Sequence, residues 1–345
     1  MFAVSVAKPG KVELVQIPIP DPGPYEVLIR TEVAFLCNAT DRKLVEGHFP
    51  GVEKYPLLLG HENAGIVEKV GAKVRSFKKG DRVIGGLVLN PPDPTFASGW
   101  GGFCEYTIAG DHVAMKEDGV ADEAHGWYEV TEIMRKIPDH IPVEAAALFC
   151  TWREVYGGIG DFNLQPGNNI LIFGAGPVGL SFVKFCRILG IGYIGVVEFF
   201  EEKRELALKM GASEVFAPDE EGMKSIQQKW KGKLDAVIDA VGKESIINNS
   251  LPLVKLGGSV CVYGVIDTTE ILVKKNVGPY NFNLLVHQWP TRWREAAAQE
   301  PLCKWIEDGK LDFKEFLSAE FSIKDINKAL DHARAGHAIK TLLRY

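Results

Sequence analysis

Apolar and polar residues alternate in two different ways along this chain. Over roughly the first 110 residues the apolar positions come in short runs. Val27-Leu28-Ile29-Arg30, Gly65-Ile66-Val67-Glu68-Lys69-Val70 and Asp81-Arg82-Val83-Ile84 are examples. Turn residues bound each run, which predicts an all-β, barrel-like region. The texture changes near residue 143, where Val143 to Ile159 carries three alanines and apolar residues at helical spacing. From Gly167 strands and helices alternate. Asn169 to Phe173, Tyr193 to Val197, Leu234 to Ile238 and Gly258 to Tyr263 read as strands. Val178 to Leu189 and Glu201 to Met210 read as helices. This alternation predicts an α/β fold with a doubly wound parallel sheet. Beyond about residue 290 the chain turns helical and charged, then closes on an apolar strand, Lys340 to Arg344.

One segment interrupts the β region. Met115 to Arg135 is acidic and contains His125, Trp127 and Tyr128, with His112 just before it. It reads as a solvated surface excursion.

Composition narrows the class. With 345 residues the chain has room for two domains, and 46% hydrophobic with 24% charged residues is a globular balance. The net charge of −6 argues against a basic nucleic-acid surface but leaves room for a local basic pocket. No apolar run approaches the roughly 18 residues that span a bilayer. The opening MFAVSVAKPGKVELV reads as a strand and a turn, not a secretory signal. The six cysteines are scattered and lack a disulfide spacing. A cytoplasmic protein with no membrane partner is expected.

The strand ending at Phe173 runs into Gly174-Ala175-Gly176-Pro177-Val178-Gly179, a G-x-G-x-x-G, and then a helix. In that context the motif predicts a dinucleotide site. Gly174 permits a tight turn, Gly176 lets the backbone approach a pyrophosphate, and Gly179 lets helix and strand pack closely. The helix that starts at Pro177 and Val178 offers its N-terminus to the phosphates. Glu198 ends the second strand, where a carboxylate accepts hydrogen bonds from ribose hydroxyls and repels a 2′-phosphate. No arginine follows until Arg204. NAD is therefore expected rather than NADP.

The stretch Leu58-Leu59-Gly60-His61-Glu62-Asn63-Ala64-Gly65 sets a histidine and a glutamate side by side between glycines. It is either a metal site or a tight turn. Zinc takes cysteine, histidine and carboxylate ligands, and a catalytic site keeps one position open. Cys37 and Cys150 are further candidates, although a single cysteine is more often a buried apolar residue than a ligand.

Taken together, these motifs resemble the zinc-dependent medium-chain alcohol dehydrogenases, the group that includes sorbitol and threonine dehydrogenases. The resemblance rests on Gly60-His61-Glu62, Gly65, Gly71 and Val74, on Gly80-Asp81-Arg82-Val83, and on Gly101-Gly102-Phe103-Cys104-Glu105-Tyr106. Gly174 to Gly179 and Ala207 to Ala212 extend it nearly from end to end. It implies a GroES-like β-barrel catalytic domain over residues 1–152, completed by 290–345, and a Rossmann domain over 153–289. It implies one catalytic zinc held among Cys37, His61, Glu62 and Cys150, with Glu62 able to exchange with water. Thr40 resembles the hydroxyl that passes the substrate proton outward, and Asp41 matches the aspartate that follows it. Zinc would lower the pKa of a bound hydroxyl, and hydride would then pass to the nicotinamide. A homodimer or homotetramer is implied, with the contact close to Val260–Tyr263.

The chain departs from the pattern in three places. Cys37-Asn38-Ala39-Thr40-Asp41 is one residue longer than usual, so alignment on Asp41 puts Asn38 at the ligand position, as in zinc-free quinone reductases, and a one-residue bulge restores Cys37. Glu154 stands one helical turn after Cys150, as an alternative ligand, a substrate contact or a surface carboxylate. The four-cysteine structural-zinc lobe is missing, with only Cys104 in that region, so no structural zinc is expected. Cys186, Cys261 and Cys303 read as core. Asp41, Arg42, Lys43, His48, Trp152, Arg153 and Glu154 would suit a polyol or sugar-type alcohol, or Arg153 with a neighbouring cation would suit an acidic group. The reading is thus an NAD-dependent zinc oxidoreductase for a secondary alcohol and its ketone. A zinc-free quinone or enone reductase and a non-catalytic binding relative are the rivals.

Overall fold

Strand pairing in the computed structural model follows these two textures. The structure describes residues 1–345 except 267, 269 and 290. The chain divides into two units, Met1–Thr151 with Gln299–Tyr345, and Trp152–Ala298. The expected return to the first domain at residue 290 lies outside the described residues, and the first unit takes up the chain again at Gln299.

Among the described residues the first unit holds a seven-stranded and a four-stranded sheet. In the larger sheet, Glu26–Phe35 is the hub. It pairs antiparallel with Glu62–Val70, Tyr106–Gly110 and Lys340–Arg344. Val4, Val6, Ala34, Leu36, Leu44, Leu57, Leu59, Phe103 and Leu343 are buried in one cluster, and Val27, Ile29, Val67 and Val83 in another. Alternate residues of these strands therefore face apolar layers, as the short runs predict.

The excursion is more ordered than a solvated loop. It contains the helix His112–Glu117 and two 3₁₀ turns, Glu123–His125 and Glu129–Ile133. Asp111 caps the helix by accepting from the Ala114 amide at 3.0 Å, and its other oxygen accepts from the amides of Arg75 and Ser76. The Trp127 indole donates to His112 at 3.0 Å.

The second unit carries a six-stranded sheet, parallel throughout. Its order is Glu214–Phe216, Tyr193–Val197, Asn169–Phe173, Leu234–Asp239, Val254–Val262, Asn283–Val286. The first three strands in sequence run one way across the sheet and the next three the other. The order reverses between Asn169–Phe173 and Leu234–Asp239, which is the switch point where doubly wound sheets bind nucleotides. The helices Pro177–Ile188, Glu201–Met210, Glu220–Trp230 and Glu244–Ser250 fall between the strands. The strand holding Val260–Val262 is interior to the sheet, and Asn283–Val286 is its edge. No helix among the described residues is long and apolar enough to cross a membrane.

Candidate active site

Register assembles the first candidate site. Phe35 pairs with Glu62 and with Leu342 across the hub strand. Antiparallel pairing extended past Phe35 brings the next residues of all three segments to one end of the sheet. These are Cys37, His61 and Lys340. Gly60 makes the turn into this corner at φ +99°, and a Cβ there would overlap the Phe103 ring. Only glycine fits both demands.

Ligand atoms of Cys37, His61 and Glu62 lie within 4.8 Å of one another. Asn38 is not among them. Its amide donates to the carbonyls of Ala338 and Ile339, at 3.3 and 3.1 Å. The extra residue is absorbed in a turn where the Asp41 amide donates to the Cys37 carbonyl at 3.2 Å and the Asp41 carboxylate accepts from the Cys37 amide at 2.8 Å. The other Asp41 oxygen faces His61 Nδ1 at 3.5 Å, and neither atom has a hydrogen-bond partner. His61 Nε2 points to the Glu62 side, 3.8 Å from Oε1. A carboxylate behind one imidazole nitrogen turns the other toward a ligand position. Burial pulls the His61 pKa down, but Asp41 and Cys37 outweigh it and raise it well above the ordinary histidine value. A thiol, an imidazole and a carboxylate in one enclosed corner fit zinc.

Two residues of this corner were not singled out from the sequence. Lys340 Nζ donates to both Glu62 oxygens, at 2.6 and 2.5 Å, and both side chains are about 2% exposed. Burial lowers the Lys340 pKa, but Glu62, Cys37 and Cys150 more than reverse this, so the ammonium stays charged. Thr151 donates its hydroxyl to Glu62 Oε2 at 3.2 Å. A lysine inside Ala338-Ile339-Lys340-Thr341-Leu342-Leu343, a run with no other charged residue, was the available signal for a buried counter-ion.

The remaining candidates fall as follows. Cys150 is half-buried and lies outside the group of three. Thr40 opens the helix Thr40–Glu46, just after Cys37. Arg42 and His48 are exposed. Trp152 and Arg153 are enclosed, at 0% and 1% exposure, and Glu154 is half-buried. Cys104, Cys186, Cys261 and Cys303 are buried, and burial raises each thiol, that of Cys303 to about 11.

The second candidate site is built from backbone. Gly174 turns at φ +96°, and Gly176 caps the helix Pro177–Ile188, with Pro177 and Val178 in its first turn. A Cβ on Gly176 would meet nothing within 4 Å, whereas one on Gly179 would overlap the Gly174 carbonyl. The loop is thus open on one side and packed tight on the other, as a phosphate cradle requires. Glu198 reaches back to this loop. Its Oε2 accepts from the Ala175 amide at 2.7 Å and its Oε1 from Phe200 at 3.0 Å. Arg204 donates through Nη1 to the carbonyls of Glu198 and Phe199, at 2.8 and 2.7 Å. Lys203 is 8% exposed and lies over the Phe200 ring; burial lowers its pKa, against Glu198 and Glu202.

Comparison with known proteins matches both units. The zinc-binding dehydrogenase family model covers residues 177–298, and the alcohol dehydrogenase GroES-like domain model covers residues 23–119. A sorbitol dehydrogenase from Bombyx mori is 26% identical over 99% of this chain and 98% of its own. An acryloyl-coenzyme A reductase from Sulfurisphaera tokodaii is 32% identical over 79% of each chain. The alcohol dehydrogenase TADH from Thermus sp. ATN1 has the same fold, with a TM-score of 0.81 at 21% identity over 100% of both chains.

Proposed function

The chain belongs to the zinc-type medium-chain alcohol dehydrogenase family, and we propose that it interconverts a secondary alcohol of polyol or sugar type and its ketone, using NAD and one catalytic zinc. The observation that carries this reading is the convergence of Cys37, His61 and Glu62 on one point. Cys37 and His61 would hold the metal, with Cys150 and Glu62 as the remaining donors. Zinc bound there supplies Lewis-acid polarisation of the substrate oxygen.

The chain's own residues do the rest. Asp41 orients His61. Lys340 and Thr151 hold the Glu62 carboxylate and keep its charge balanced. Thr40 takes the hydroxyl proton outward as the alcohol is oxidised. The Gly174–Gly179 loop would hold the pyrophosphate of NAD, and Glu198 its adenosine ribose. The cofactor held there would supply the acceptor for the carbinol hydride. Glu198 beside the loop supports NAD, because its charge would repel a 2′-phosphate and Arg204 is already bonded to backbone carbonyls. The sorbitol dehydrogenase relative supports the polyol class.

Zinc content by elemental analysis, together with NADH absorbance on a panel of secondary polyols, tests the proposal. We expect about one zinc per chain, NAD-linked oxidation, and loss of both in Cys37→Ser and His61→Ala. Protein that neither holds nor takes up zinc would sink it. The acryloyl-coenzyme A reductase relative favours a second reading, reduction of a conjugated alkene. NADPH-linked reduction of an acryloyl thioester by metal-stripped protein would bring that reading forward.

A homodimer or homotetramer in the cytoplasm completes the proposal, with a small alcohol as partner and neither nucleic acid nor membrane. The edge strand Asn283–Val286, with Tyr280 and Leu272 exposed nearby in sequence, supports contact there. Analytical ultracentrifugation of Val286→Lys tests this by looking for dissociation.

A further inference from the structure

Trp100 has φ +69°, and among the described residues only one other non-glycine residue, Asn163 at +52°, shares a positive φ. Asparagine enters that region readily, whereas a bulky aromatic there is an outlier. The segment around it, Gly99-Trp100-Gly101-Gly102, is otherwise glycine. A Cβ on Gly101 would stand 2.7 Å from the Val88 side chain, and one on Gly102 2.7 Å from the Gly60 carbonyl. Backbone bonds pin the segment in place. Gly99 donates to Leu58 at 2.7 Å, Gly102 donates to Gly60, and the Trp100 carbonyl accepts from Val88 at 2.8 Å. The segment thus lies flat against the turn that carries His61, and it presents one side chain.

That side chain is an indole beside the candidate metal ligand. Its ring centroid is 5.7 Å from that of His61, with the planes inclined at 57°. Phe49 meets it edge-on at 5.3 Å and 84°. The residue is half-buried, and it also packs against two apolar clusters. Glycine would satisfy this backbone without strain. Strained residues persist where surrounding structure over-determines them, and they gather at functional sites. Here the strained backbone keeps an aromatic ring next to His61.

We propose that Trp100, braced by Phe49, is a specificity-determining residue that selects ring-bearing secondary alcohols over open-chain ones. This rests on the dehydrogenase reading of the site. The face of an indole carries negative charge density. One face of a saturated ring offers several C–H bonds to it at once, with no rotors left to freeze. An open-chain alcohol must immobilise its chain to make the same contact.

The test uses two vicinal secondary diols that differ by a ring, trans-1,2-cyclohexanediol and 2,3-butanediol, with zinc-loaded protein and NAD. We expect wild type to prefer the ring diol in kcat/KM. Trp100→Leu should lower kcat/KM for the ring diol about tenfold, mostly through KM, and that for butanediol about twofold or less. Trp100→Phe should restore most of the difference. Trp100→Gly, which suits the backbone, should lose the selectivity while zinc content stays near wild type. Equal losses on both diols, or losses that track Tm or zinc content, overturn the proposal and leave the dehydrogenase reading standing. Oxidation of neither diol by wild type overturns the selectivity proposal, and zinc content with the polyol panel decides the dehydrogenase reading separately.

Discussion

The two candidate sites are made of different materials. The dinucleotide loop is backbone, six consecutive residues whose shape follows from where glycine stands, with one carboxylate folded onto it. The metal corner is side chain, assembled from Cys37, His61, Glu62 and Lys340 across strands far apart in sequence. In the loop, function depends on what is missing from the residues. In the corner, it depends on charges that water no longer screens. A single change should therefore fail sterically in one site and electrostatically in the other.

Lys340→Met should have the largest effect. It leaves the Glu62 carboxylate buried without its counter-ion, a loss of about 3–5 kcal/mol in metal-free protein. Urea denaturation of the metal-free protein reads this directly, and added zinc should recover part of it by replacing the missing positive charge. A stability equal to wild type would mean that the pair is not enclosed as described.

Gly179→Ala follows. Its Cβ would press on the Gly174 carbonyl, which is backbone and cannot swing away. We expect about 1–3 kcal/mol of destabilisation and much weaker NAD binding by calorimetry, with zinc content unchanged. Loss of zinc as well would show that the two sites do not fail independently.

Glu198→Gln removes the charge that opposes a 2′-phosphate but keeps a hydrogen-bonding side chain. The ratio of NAD to NADP affinity should fall about tenfold, roughly 1.4 kcal/mol. No change in the ratio would mean that the carboxylate does not meet the ribose.

Thr151→Val removes one neutral donor from Glu62 and should cost about 1 kcal/mol, read as a small drop in urea midpoint.

Alkaline titration sharpens the contrast. The Lys340 pKa is raised by folding, so its contribution is complete below the unfolded value of about 10.4 and fades as pH climbs toward the higher folded one. The stability gap between wild type and Lys340→Met should therefore narrow above about pH 10.4. A gap that widened with pH would reverse the sign and refute the ion pair.

The same contrast explains what could be read in the sequence. Gly174 to Gly179 and Glu198 were legible because the loop's geometry follows from neighbouring residues, and the strand Tyr193–Val197 and helix Glu201–Met210 stand where the periodicity puts them. In the corner, the sequence offered donors without their pairing. Cys37 or Asn38 turned on one inserted residue, and the pairing of Phe35 with Glu62 and the turn through Asp41 put the thiol, not the amide, beside His61. Lys340 lies 278 positions from Glu62, beyond any local pattern. Trp152 and Arg153 follow Cys150 closely in sequence, and the fold encloses both, at 0% and 1% exposure. The strain at Trp100 comes from tertiary contact and has no sequence signature.

The late strand Lys340–Arg344 gives the corner a place in time. During synthesis, Cys37, His61 and Glu62 leave the ribosome early, and the whole of Trp152–Ala298 is made before the lysine that balances Glu62 exists. Domains tend to fold as units as they emerge, at about 5–20 residues per second. Because the first unit is completed only by Gln299–Tyr345, the corner closes last, and the Lys340 ammonium and any divalent cation then arrive at the same carboxylate as rivals for its charge.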